Sequence, residues 1–219
     1  MEIIHFDFLG LHLQEPMAMV TNGLLSLFSF YAFFNLKNQR TKAHFFWSLF
    51  YLTFAISTFF GVWGHALFQY FGIVGKFPCW ITGAIANGFA AMGMLHFAGY
   101  SQPKKYSFAI VWIKSLLLLF IALITKKFLF VAIDAILTYI IYTGVYGFIL
   151  FKRGAVTVKW MVIGVFVLLP SAFVFLLKLN VHRWLNKDDL SHLFMLGAIS
   201  CFYIAMRGWK LNTTKEDNV

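Results

Sequence analysis

Hydrophobic positions along this chain come in continuous blocks and do not alternate with polar ones. Blocks run from Pro16 to about Leu36, His44 to Phe68, Cys79 to Tyr100, Phe108 to Thr125, Phe128 to Phe151, beyond Lys159 to about Leu179, and Asn186 to Trp209. Each holds roughly 20 residues with almost no charge, the length at which a helix crosses about 30 Å of hydrocarbon. A membrane strand would show about ten residues of alternating character, which is absent. The pattern predicts an all-α integral membrane protein, a bundle of seven transmembrane helices over residues 17–209.

Residues 1–16 mix apolar and acidic positions over too short a length to span, and predict a segment lying on the membrane surface. Pro16 suits the first turn of a helix and Pro170 a kink within the sixth. Residues 210–219 read as a polar, disordered cytoplasmic tail.

Composition agrees: of 219 residues, 61% are hydrophobic, 12% are charged and 28 are Phe, far from the mix of a soluble domain. The net charge of +10 would suggest nucleic acid if it were clustered, but the basic residues sit in short loops and report topology instead. With seven spans, Lys37, Arg40, Lys42, Lys104, Lys105, Lys152, Arg153, Lys159, Arg207, Lys210 and Lys215 share the side of the C-terminus. Lys76, Lys126, Lys127, Lys178, Arg183 and Lys187 fall opposite. The positive-inside rule then places the N-terminus out and the C-terminus in. Cys79 and Cys201 imply no disulfide framework. The first sixteen residues carry acids and no basic residue, unlike a signal peptide, and the compact loops suit a bacterial inner (plasma) membrane. The tryptophans fall mostly near segment ends, as an aromatic belt would.

Topology gives each polar residue a depth. His5, His12, His65, His182 and His192 collect on the outer side, and at about 1.5 Å per residue His65 and His192 reach a similar level. They meet if their helices are neighbours. Asp188 lies four and Asp189 three residues before His192, so either acid shares a helical face with that imidazole. A carboxylate and histidine at the edge of hydrocarbon form a usable metal or proton-transfer pair, although a cap and a first-turn charge would account for the acids alone. Asp134 stands alone about six residues inside the fifth block, where a carboxylate must be protonated, paired or metal-bound. Lys114 reads first as a snorkelling anchor and second as its partner. Ser57, Gly61 and His65 repeat every fourth residue and predict a face turned into the bundle, and Asn87 a hydrogen bond to a neighbouring helix. His44 and His96 read as interfacial. No lysine suits a retinal Schiff base in the last block, and phosphate loops, HExxH pairs and GxSxG elbows are missing.

The seven blocks, the histidine of the second with a small residue four before it, and the acid-and-histidine start of the seventh resemble the superfamily of alkaline ceramidases and adiponectin-receptor-like proteins. Phe60-Gly61-Val62-Trp63-Gly64-His65, Leu185 to His192 and the closing Arg207-Gly208 look closest to uncharacterised bacterial seven-helix members. In that superfamily a histidine of the second core helix and an HxxxH pair in the last hold zinc, with a serine and an aspartate nearby, and the membrane enzymes hydrolyse lipid amides. His65 and His192 match two ligands; Asp188 stands where the first histidine of the pair would be and Gly61 where the serine would be.

The resemblance therefore implies zinc on His65, His192 and a carboxylate from Asp189 or Asp188, with the other acid, or Asp134, as general base. Taken residue by residue, His65, His192 and Asp189 hold the metal, while Asp188 and Asp134 serve catalysis. Two imidazoles, one carboxylate and an open fourth position suit a catalytic zinc. The implied activity is metal-dependent hydrolysis of a membrane lipid amide or ester at the outer leaflet. The alternatives are a non-enzymatic protein that binds or senses a lipid or small ligand, and a transporter with Asp134 as proton site.

Overall fold

A computed structural model describes residues 4–38, 41–97 and 105–209. The 210–219 tail, Arg40 and the loop residues around Pro103 and Lys104 lie outside the described residues. The chain begins with an antiparallel hairpin, β1 (His5–Phe8) and β2 (Leu11–Gln14), joined through Leu9 and Gly10. Both turn residues have positive φ, 51° and 77°, as a type I′ turn requires. The helices that follow are α1 (Pro16–Leu36), α2 (Lys42–Ala66), α3 (Phe77–Leu95), α4 (Lys105–Thr125), α5 (Leu129–Lys152), α6 (Lys159–Leu176) and α7 (Lys187–Gly208). A short helical turn, Phe68–Phe71, and a 3₁₀ segment, Gly72–Lys76, link α2 to α3.

Among the described residues, six helical stretches are long and apolar enough to cross a membrane, α3 not among them, and the chain is an integral membrane protein. In α3, Asn87 and three glycines dilute the hydropathy, and the reason is its position: it packs on α2, α4 and α5, so small residues that permit close approach replace lipid-facing ones. Neighbours in space run α1, α2, α3, α5, α6, α7 and back to α1, a closed ring, with α4 outside it against α3 and α5. Accordingly 17% of α4 is buried, against 50% of α2.

Side chains expected at an interface turn inward instead. Trp47 is fully buried, because Gly93 leaves room for its indole: a Cβ there would stand 2.6 Å from Trp47 Cδ1. His44 is buried too, between Thr41 Oγ1 at 2.6 Å and the Met206 carbonyl at 2.9 Å, and so ties α2 to α7. Tyr51 adds a second such tie, donating to the Ile199 carbonyl at 2.7 Å. In α5 the α-helical pattern gives way to a π-helix over Thr138–Tyr146.

Candidate metal and lipid site

At the hairpin end of the ring, three separate elements bring charged groups together. His65 comes from the last turn of α2, where Ser57 and Gly61 of the same face are also buried. Glu15 comes from the end of the hairpin. It adopts φ 53° and ψ 56°, directly before Pro16, where a residue ordinarily stays extended. This left-handed backbone costs about 1–3 kcal/mol and swings the carboxylate across to α2, with Oε2 2.6 Å from His65 Nδ1. Asp188 comes from the first turn of α7, and its Oδ1 lies 2.7 Å from Lys187 Nζ. One ligand atom from each of Glu15, His65 and Asp188 lies within 4.8 Å of the other two.

The frame of α7 decides which acid joins. Asn186 is the N-cap, its side chain accepting from the backbone N–H groups of Asp188 and Asp189. Asp189 in return accepts from the Asn186 N–H at 3.0 Å through Oδ2, completing a capping box. Asp189 is thereby held outside the three-residue cluster, 1% exposed, with no hydrogen-bond partner for Oδ1 among the described residues. Asp188, one position earlier, points toward His65.

His192, one turn further, stands edge-on to His65 with ring centroids 6.1 Å apart. The equal depths inferred by counting residues thus do bring the two imidazoles together. His192 Nδ1 lies 2.9 Å from Thr21 Oγ1, and Thr21 already donates to the Met17 carbonyl. Asn22, also beside His192 Nδ1, fits because position 61 is glycine: a Cβ would fall 2.5 Å from its Oδ1. Lys76 Nζ completes the cluster, 3.3 Å from His65 Nδ1 and 3.4 Å from Nε2.

Burial opposes ionisation of Glu15, but the hydrogen bond and charge of His65 and the charge of Lys76 outweigh it and hold the carboxyl below its ordinary value. Burial also pushes the Lys76 ammonium down, against the pull of Glu15 and Asp188. A depressed carboxyl contributes stability that is complete above its unfolded value, about 4.3, and fades as pH falls through the folded one. Hydrogen exchange of the metal-free protein is therefore expected to show Phe6–Gln14 amides protected at pH 5 and opening as pH falls below the ordinary carboxylate range. In Glu15→Gln their protection should no longer change across this window.

Below the cluster lies a cavity of about 430 Å³, with His65, Lys76, Asp188 and His192 at its mouth and Trp80, Phe128, Phe175 and Phe202 among its apolar walls. A smaller one of about 160 Å³, lined by Asn180, Arg183 and Trp184, lies on the other side of the cluster, and Lys187 and Asp188 face both. Asp134 is elsewhere. It is 1% exposed and accepts from Lys114 Nζ at 2.5 Å, Ser115 Oγ at 2.8 Å and Asn87 Nδ2 at 2.9 Å. Lys114 is thus its partner and no free anchor, because α4 lies against α5 at that level.

Sequence reasoning placed His65, Asp188 and His192 together and overlooked Glu15, Lys76, Thr21 and Asn22. For Glu15 the available signal was an acid directly before a helix-starting proline; Lys76 read only as a loop charge.

Residues 17–211 match the family described as Family of unknown function (DUF6962). The chain belongs to that family. The match runs from the first turn of α1 past the end of α7, so it takes in the whole ring but stops short of Glu15. No curated protein and no solved structure matches the chain.

Proposed function

We propose that this protein is a membrane-embedded, metal-dependent hydrolase acting on a lipid amide or ester. The observation that carries this reading is the Glu15, His65 and Asp188 cluster, with ligand atoms within 4.8 Å, at the mouth of an apolar cavity. A set of two carboxylates and one imidazole suits zinc and leaves a fourth position open to water. The donors differ from the sequence-based set: Glu15 and Asp188 stand in place of His192 and Asp189.

Bound zinc would activate a water and polarise the scissile carbonyl. The chain's own groups do the rest. The apolar walls receive the hydrocarbon tail, while Lys76 faces the position where negative charge develops on the carbonyl oxygen. Asp189 is locked in the capping box with Oδ1 occluded, and serves the fold of α7 and not the reaction. Asp134 has no part in the reaction, since its carboxylate is fully engaged away from the mouth.

This reading includes seven spans, with α3 as the seventh, the hairpin end outside and the C-terminus inside, in a bacterial inner membrane. The positive-inside count supports that orientation, and it puts the cluster at outer-leaflet level. The second reading is a binding or sensing protein in which the same groups close a ligand cavity. Lys76 favours it, because an ammonium 3.3 Å from His65 competes with a cation.

Elemental analysis of protein purified without a chelator or histidine tag separates the two. The hydrolase is expected to carry near-stoichiometric zinc and to release fatty acid from long-chain amides or esters, with chelator abolishing the release and zinc restoring it. Folded protein free of metal, with no hydrolysis, would leave the binding reading standing.

A further inference from the structure

The buried network around Asp134 has a consequence for the cavity. Asp134 is paired with Lys114, so its Oδ2 can only accept, and the Asn87 amide must present Nδ2 to it. That fixes the amide's direction. Asn87 Oδ1 has no hydrogen-bond partner among the described residues, although Asn87 is 95% buried, and the residue lines the cavity. Tyr139, directly after the start of the π-helix, lines the same cavity, and its hydroxyl likewise has no partner among the described residues. Neither atom belongs to the fully occluded unpartnered groups, so both can be reached from the cavity. An acceptor and a hydroxyl facing an otherwise apolar space at this depth are unfavourable unless a ligand bonds them.

Their depth follows from helix geometry. Tyr139 stacks on Phe202, with ring centroids 5.7 Å apart, and Phe202 lies ten residues beyond His192 on α7, roughly 15 Å deeper. Asn87 lies one turn past Gly83, which is level with Ser57, and Ser57 is eight residues from His65, so Asn87 comes out at roughly 18 Å.

We propose that the cavity takes a long-chain amphiphile whose tail carries a hydroxyl roughly 15 Å from the head group, bonded by Asn87 and Tyr139. This deepens the reading of the cavity as the lipid site and rests on it. The Lys114–Asp134 pair then acts as a positioning device that keeps the Asn87 oxygen turned to the ligand.

The experiment compares octadecanoic acid with 12-hydroxyoctadecanoic acid, whose hydroxyl sits at about that distance from its carboxyl. Each competes with a fluorescent fatty acid for the full chain in lipid nanodiscs, beside Tyr139→Phe, which keeps the aromatic stack. The hydroxy acid is expected to bind about tenfold more tightly to wild type, the effect of one buried hydrogen bond, and Tyr139→Phe is expected to lose most of that preference. Equal binding of the two acids, or a preference unchanged in Tyr139→Phe, would overturn the hydroxyl assignment while leaving the lipid cavity intact. Binding of neither acid would overturn both.

Discussion

Asp134→Ala is expected to cost about 3–5 kcal/mol of stability, enough to leave little folded protein after extraction. Lys114 would then stand at the edge of hydrocarbon without its counter-charge, and Ser115 and Asn87 would lose their acceptor together. The cost lies in stranding the partners, not in the pair's own strength, so removing both charges should behave differently. Lys114→Met combined with Asp134→Leu is expected to unfold within about 1 kcal/mol of wild type, because apolar groups often replace a buried pair without loss. Circular dichroism during thermal unfolding in detergent measures both. If the double variant falls as far as the single, the network matters for something other than charge pairing. A folded double variant also tests the cavity: with the Asn87 amide free to rotate, the preference for a hydroxylated chain should fall.

The helical blocks were legible because membrane spans are long and uniformly apolar: six of the predicted blocks have helices long and apolar enough to cross, and the third has a helix, α3, that is less apolar. What could not be read is which side of each helix faces protein. Lipid and protein interior are both apolar, so burial leaves no periodic mark, and Trp47 and His44, which sequence placed at the interface, lie fully inside. The π-helical stretch Thr138–Tyr146 carries no distinctive residue and was invisible for the same reason. The surface segment at the N-terminus proved to be a hairpin, for which the acidic and apolar mixture of residues 1–16 gave no clear period.

The mouth of the cavity was half legible. Depth counting needs only 1.5 Å per residue, and it brought His65 and His192 to one level before their helices were known to be close. The choice between Asp188 and Asp189 was harder, since adjacent helical residues point about 100° apart and both share a face with His192. Asn186 decides it: by capping the helix it engages Asp189 in the reciprocal bond and turns Asp188 toward His65. Glu15 was out of reach for another reason. Its approach to His65 depends on a left-handed backbone before a proline and on a hairpin pinned to the α2–α3 link, where Tyr70 Oη accepts the His12 N–H at 3.2 Å.

Glu15 is therefore the sharpest test of the proposed metal site. Glu15→Gln keeps the size of the side chain but removes its charge, and is expected to weaken zinc binding by at least about 100-fold, as is His65→Ala. Asp189→Asn should hold zinc as tightly as wild type, because an asparagine oxygen still accepts from the Asn186 N–H and the capping box survives. Zinc titration of the chelator-stripped variants, followed by elemental analysis, gives the ranking. The reverse order, with Asp189→Asn losing metal and Glu15→Gln keeping it, would restore the sequence-based ligand set and assign Glu15 to anchoring the hairpin. In the expected order, the strained backbone at Glu15 acquires its explanation: the conformational cost of about 1–3 kcal/mol is offset by a ligand that α2 and α7 cannot supply from their own residues.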